Sequence, residues 1–143
     1  MSQFKRPESV LVLIYSLQNE VLLLERKNPP NLWQSVTGSL RWGETAHQAA
    51  YREVYEETGI RANREIINVR HRERYRILPP WKHRYSKNTK YNTEHWFLLR
   101  LKARRLIKLN PDEHIKYRWI SSRQAKYLTF SSTNAKAIKY FCQ

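Results

Sequence analysis

A single cysteine, Cys142, cannot close a disulfide within the chain, and with no second thiol there is no Cys/His spacing for a structural zinc. A reducing, cytoplasmic setting is the expectation. The five histidines show no zinc-like pairing, and nothing in the sequence supplies Cys142 with an activating partner, so thiol and zinc chemistry are set aside. Glycine is scarce too. Gly38, Gly43 and Gly59 lie too far apart for a dinucleotide fingerprint, and there is no P-loop. Long apolar runs are missing. The start MSQFKRPESVLVLIYSL places basic residues before an apolar stretch but lacks a small-residue cleavage site, so Val10 to Ser16 reads as a buried strand and no membrane partner is expected. Acidic residues number 12 against 27 Lys and Arg, a net charge of +15. Such a field suits a polyanion: nucleic acid, which it admits without favouring, or a small polyphosphate steered into a cleft.

What the chain does contain is concentrated between Gly38 and Ile60, GSLRWGETAHQAAYREVYEETGI. There the pattern G-x5-E-x7-R-E-U-x-E-E-x-G-U, with U aliphatic, fixes nine positions, a coincidence of roughly one starting point in a billion. Thr45 and Gln48 have capping-box spacing and Gly59 supplies a left-handed stop, so a helix from about Thr45 to Thr58 is predicted. On it Glu53, Glu56 and Glu57 stand at i, i+3 and i+4. Like charges so placed each cost about 0.2 to 0.5 kcal/mol, and the helix C-terminus opposes anions further. A solvated acidic face is the bland alternative. Mg²⁺ resolves the conflict, since it takes oxygen ligands from one or two carboxylates, water and phosphate. Mn²⁺ is the expected substitute. Arg52, one turn before Glu56, can hold a carboxylate in place, and Gly38 and Gly43 bound a loop that can bring backbone close to phosphate.

With 41% hydrophobic content the 143 residues suit one domain, 1–143. Val10 to Ser16 and Val21 to Arg26 read as a hairpin turning at Gln18-Asn19. Ser35 to Thr37, Ala62 to Tyr75, Glu94 to Leu101 and His114 to Ile120 read as further extended segments, with a long basic loop at Pro79-Pro80. Ser121 with Gln124 opens a helix to about Tyr127, and Ser132 to Phe141 carries another. Helices alternating with strands imply an α/β fold, a helix, mixed sheet, helix sandwich.

The box is that of the Nudix hydrolases, and the chain resembles that family throughout. Lys5-Arg6-Pro7, Trp33 to Gly38, His83-Arg84-Tyr85, Asn92-Thr93-Glu94 with Trp96, and Glu113-His114 with Tyr117 and Trp119 resemble its branch acting on dihydroneopterin triphosphate in bacterial folate synthesis. The resemblance implies an α/β/α sandwich, a Mg²⁺-dependent diphosphatase, a small-molecule triphosphate substrate and a monomer. It implies metal ligation by Glu53, Glu57, Glu56 and Glu113, with Glu56 or its neighbours, aided by Arg52, as the catalytic set. Substrate contacts are implied at Lys5, Arg26, Thr37, Gly38, Tyr75, Arg76, Ile77, Leu78 and Ser131. Lys5 and Arg26 could hold terminal phosphates, and Trp33 and Tyr75 could sandwich a flat ring, although basic residues at strand ends are usually solvent anchors and aromatics usually core. Nucleoside triphosphates, a 5′-triphosphate RNA end, or a binding module without turnover are the alternatives.

Overall fold

The computed structural model describes residues 3–142. Its strands are β1 (Glu8–Ser16), β2 (Glu20–Arg26), β3 (Trp33–Gln34), β4 (Val36–Ser39), β5 (Ile67–Arg76), β6 (Tyr91–Leu101) and β7 (His114–Ser121). The helices are α1 (Ala46–Thr58), α2 (Pro79–Lys82), α3 (Ser122–Leu128) and α4 (Ser132–Phe141).

The strands form one mixed sheet ordered β3-β2-β1-β6-β5, with β4 also on β1 and β7 also on β2. Strand β1 is the hub. It runs parallel to β6 from Glu8↔Thr93 to Ser16↔Leu101 and antiparallel to β4 from Ser9↔Ser39 to Val12↔Val36. Its unbroken apolar run follows from burial on both faces. Val10, Val12 and Ile14 pack with Val54, Ala49 and Ala50 of α1 on one side, whereas Leu11 and Leu13 pack with Ala125, Ala137 and Ile138 of α3 and α4 on the other. The expected sandwich is thus present.

The local signals act as read. Thr45 accepts from the Gln48 amide while the Gln48 side chain accepts from the Thr45 amide, and Gly59 closes α1 at φ 76°. Ser121 caps α3 through the Gln124 amide, while Ser131, expected only as a substrate contact, caps α4 through the amide of Asn134. Asn19 makes the hairpin turn at φ 59°. Two details differ from expectation. The basic loop holds the short helix α2, because Pro79 occupies a first-turn position where its missing N–H costs nothing. The segment after α1 becomes extended only at Ile67; before it, Ile66 is drawn into the α1-side core.

Candidate active site

Helix α1 lies against β4 so that its buried edge carries Glu53 and Glu57. The fit depends on Gly38. This residue is not a loop boundary, as expected from sequence, but a β4 strand residue opposite Val10. A β-carbon there would collide with the Glu53 carboxylate and stand 2.7 Å from its Cγ. Glycine therefore makes room for a carboxylate. The backbone at Gly38 is ordinary, so Gly38→Ala should leave the fold in place at an overpacking cost of about 1–3 kcal/mol. The displaced Glu53 should lower kcat/KM about 100-fold, the usual cost of a misplaced group. Turnover near the parent rate, measured beside thermal unfolding, would contradict this use of Gly38.

Arg52 organises the carboxylates around it. Its guanidinium grips Glu44 in a fork, Nε and Nη2 at 2.8 Å each, while Nη1 donates to Glu53 at 2.6 Å and to Glu56 at 2.9 Å, and Nη2 reaches the Ser39 carbonyl at 3.0 Å. The Arg52 hydrogen bond is the main reason Glu44 falls to about 2. Glu44, across the loop from Arg52 in sequence, is a clamp that was visible only as a letter of the motif. Glu56 faces solvent and also meets Arg41 at 3.5 Å.

Glu57 is the deepest of the row, 1% exposed. Burial first, then the shared proton and the charge of Glu53, push it well above the usual carboxylate range, with Glu113 adding to the rise. Glu53 is raised by burial as well. Glu57 Oε1 is buried without a hydrogen-bond partner. An orphaned carboxylate oxygen beside a second carboxylate fits a divalent cation. Among the described residues no three His, Cys, Asp or Glu side chains form a ready cage. The rest of a Mg²⁺ shell would fall to water and phosphate, as is usual for that ion.

The sign of the pH effect follows. Glu57 and Glu53 have folded values above their unfolded ones, so folding takes up protons between the two, and stability without metal falls as pH rises from about 4.5 toward neutrality. Mg²⁺ should restore it. Thermal unfolding from pH 5 to 8 in chelator and in Mg²⁺ checks this, and curves with the same pH slope would contradict it.

The positive groups stand around the pair. Lys5 senses Glu53 and Glu113 as well as Arg84 and Arg26, and burial lowers its pKa first of all. A cleft of about 590 Å³ opens beside it, lined in part by Pro7, Trp42 and Thr89. Arg26 donates to Gln34 at 3.4 Å, yet its buried Nε has no partner. Thr37 meets Glu57 through its backbone amide. Glu53, Glu57, Glu113, Lys5, Arg26, Thr37 and Gly38 are thus brought together.

Other expected residues lie elsewhere. Tyr75 lies on the α4-side face of β5, where its hydroxyl accepts from Asn92 at 3.0 Å. Arg76 points to the other face of β5, its guanidinium 6.0 Å from the Tyr91 ring centre. Ile77 is buried and spends its amide on the Lys90 carbonyl, while Leu78 is exposed. The Ser131 hydroxyl caps α4 and pairs with Thr133. Trp33 packs against the α3/α4 core under Arg118, with no ring contact to Tyr75 among the described residues. Cys142 is buried and pushed up to about 12, which leaves an inert thiol.

Known proteins share this arrangement. A family profile described as NUDIX domain matches residues 5–141. Dihydroneopterin triphosphate diphosphatase of Escherichia coli K12 is 42% identical over 96% of this chain and 93% of its own. The protein of that name from Haemophilus influenzae Rd is 34% identical over 99% of this chain and 90% of its own. The solved structure of the E. coli dihydroneopterin triphosphate pyrophosphohydrolase superposes with a TM-score of 0.90, covering 97% of both chains at 42% identity. With the complete box, its carboxylate row and its arginine clamp in place, the chain belongs to the Nudix family of pyrophosphohydrolases.

Proposed function

We propose that the protein hydrolyses dihydroneopterin triphosphate to dihydroneopterin monophosphate and pyrophosphate, with Mg²⁺ as its metal, as a cytoplasmic monomer formed by one domain, 1–143. The observation that carries this reading is the buried Glu53–Glu57 pair with its orphaned Oε1, flanked by Lys5 and the unpartnered Nε of Arg26. The pterin end is supported by the names of relatives at 42% and 34% identity.

Glu53 and Glu57 would hold the metal, with Glu113 near enough to add its charge and water and phosphate filling the rest of the shell. Bound Mg²⁺ would supply charge stabilisation for the phosphoryl oxygens and a more acidic water. Lys5 and Arg26 bind phosphate oxygens, Arg26 through its fork, and so orient the diphosphate against the carboxylates. Glu56, open to solvent and aligned by Arg52, accepts the proton of the attacking water and passes it to bulk. Arg52 acts through the carboxylates that it positions.

Pyrophosphate release should be measured with dihydroneopterin triphosphate, the common nucleoside triphosphates and a 5′-triphosphorylated RNA, each with Mg²⁺. The pterin should give the highest kcat/KM; a pterin slower than every nucleotide overturns the assignment. One observation favours the RNA reading: Arg72, Arg74 and Arg76 share one face of the edge strand β5, beside Tyr91. Turnover of RNA above the pterin would select it.

A further inference from the structure

Glu94 is a buried carboxylate that plays no part in the phosphate chemistry. It lies on β6, 4% exposed, level with Ser9 of β1 and Glu73 of β5, on the sheet face covered by α4. Its neighbours are polar. Trp96 Nε1 donates to Oε1 at 3.0 Å, and the Thr133 hydroxyl in the first turn of α4 also donates to the carboxylate. Two residues back on the same face of β6, Asn92 is 1% exposed and donates through Nδ2 to Ser9 Oγ at 2.8 Å and to Tyr75 Oη at 3.0 Å. Its Oδ1 has no partner. Two buried acceptors, an orphaned amide oxygen and a carboxylate, thus lie close together beside Tyr75, a residue 39% exposed that links this floor to solvent.

The floor and the phosphate site share the sheet. Ser39, which follows Gly38 on β4, pairs with Ser9, and Ser9 is level with Glu94, so Glu94 lies two strand spacings from β4, on the order of 10 Å. A ring at Glu94 and phosphates beside Gly38 on β4 would be joined by a linker of about that length. Both acceptors call for N–H donors. A 2-amino-4-oxo-pyrimidine ring, common to reduced pterins and guanine, carries a ring N–H beside an amino group on one edge, and a carboxylate accepts from both at once.

We propose that Glu94, with Asn92 beside it, is the specificity-determining acceptor for the donor edge of a 2-amino-4-oxo-pyrimidine ring. The inference rests on the proposed triphosphate hydrolysis. Trp96 and Thr133 leave lone pairs free on the Glu94 carboxylate, and Asn92 Oδ1 has no partner at all, so N–H donors can be taken by both. The purely structural use of Glu94, tying α4 to the sheet through Thr133, makes a different demand: its loss would affect all substrates alike.

The test compares the parent with Glu94→Gln on dihydroneopterin triphosphate, GTP, ATP and inorganic tripolyphosphate. Expected is a kcat/KM loss of about 30- to 100-fold on the first two, carried mainly by KM, with ATP and tripolyphosphate within about threefold of the parent. The larger loss between the pterin and GTP names the source of the ring. An equal loss on all four substrates, or none on the first two, overturns the inference. A parent enzyme that prefers ATP would instead defeat the substrate reading. Glu94 is then judged separately, by whether phosphate-free dihydroneopterin or guanosine, and not adenosine, shifts the Trp96 indole N–H resonance of the parent protein. The same spectrum decides the matter if Glu94→Gln does not fold; no shift with either ring overturns the proposal.

Discussion

Glu57→Gln should lower kcat/KM for pyrophosphate release by about 1,000-fold or more while the metal-free protein unfolds at the same temperature or higher. The catalytic loss follows from weakening the hold on the divalent ion that would stabilise the transition-state charge, since losing even a single stabilising donor costs on the order of 10²–10³. The stability gain follows from the same burial. Glu57 is 1% exposed and its charge is opposed by Glu53 and Glu113, so at neutral pH the native state bears a cost that an amide of the same shape does not carry. Activity and stability should move in opposite directions. Steady-state kinetics with thermal unfolding in chelator measures both, and a variant that keeps its turnover would remove Glu57 from the site.

Arg52→Ala should follow with a loss of about 100-fold and destabilisation of about 2 kcal/mol. Three carboxylates and the Ser39 carbonyl depend on its guanidinium, and three of those contacts are shielded from solvent. Stranding a shielded acceptor costs about 1–3 kcal/mol, and freeing Glu53 and Glu56 gives up the alignment on which catalysis relies. Arg52→Lys should recover little, because an ammonium is one point of charge and cannot serve Glu44 through a fork while reaching Glu53 and Glu56. The apparent affinity for Mg²⁺ should weaken with the rate. Near-parent kinetics in Arg52→Lys would show that the network is surface decoration.

The helix and its acidic row were legible because every signal is local. Thr45, Gln48 and Gly59 fix the ends of α1 by bonds within a few residues, and a period of 3.6 puts Glu53 and Glu57 on one edge. The paired strands β1 and β2 were legible as apolar runs. The role of Gly38 was not. Its sequence neighbours suggest a loop, and only the approach of α1 to β4 shows that the missing side chain makes room for Glu53. Glu44 was hidden as a clamp because its bond to Arg52 spans eight positions across a loop and a helix cap. Strand order was beyond the sequence too, since the parallel pairing of β1 with β6 joins segments more than eighty residues apart. The polar floor at Ser9, Asn92 and Glu94 arises from that pairing: Asn92-Thr93-Glu94 stood out only as a family word, and nothing in the sequence joined it to Ser9. For Tyr75 to Leu78 the alternation of a strand splits the segment: Tyr75 reaches Asn92, and Arg76 goes to the opposite face.

The most direct measurement is a titration of the protein with Mn²⁺, followed by its electron paramagnetic resonance, in the presence of a non-hydrolysable triphosphate. If Glu53 and Glu57 grip a divalent ion beside polyphosphate, the parent should take up Mn²⁺, Mg²⁺ should displace it, and the doubly substituted Glu53→Gln, Glu57→Gln protein should lose that uptake while remaining folded. Equal Mn²⁺ uptake by both proteins would contradict it.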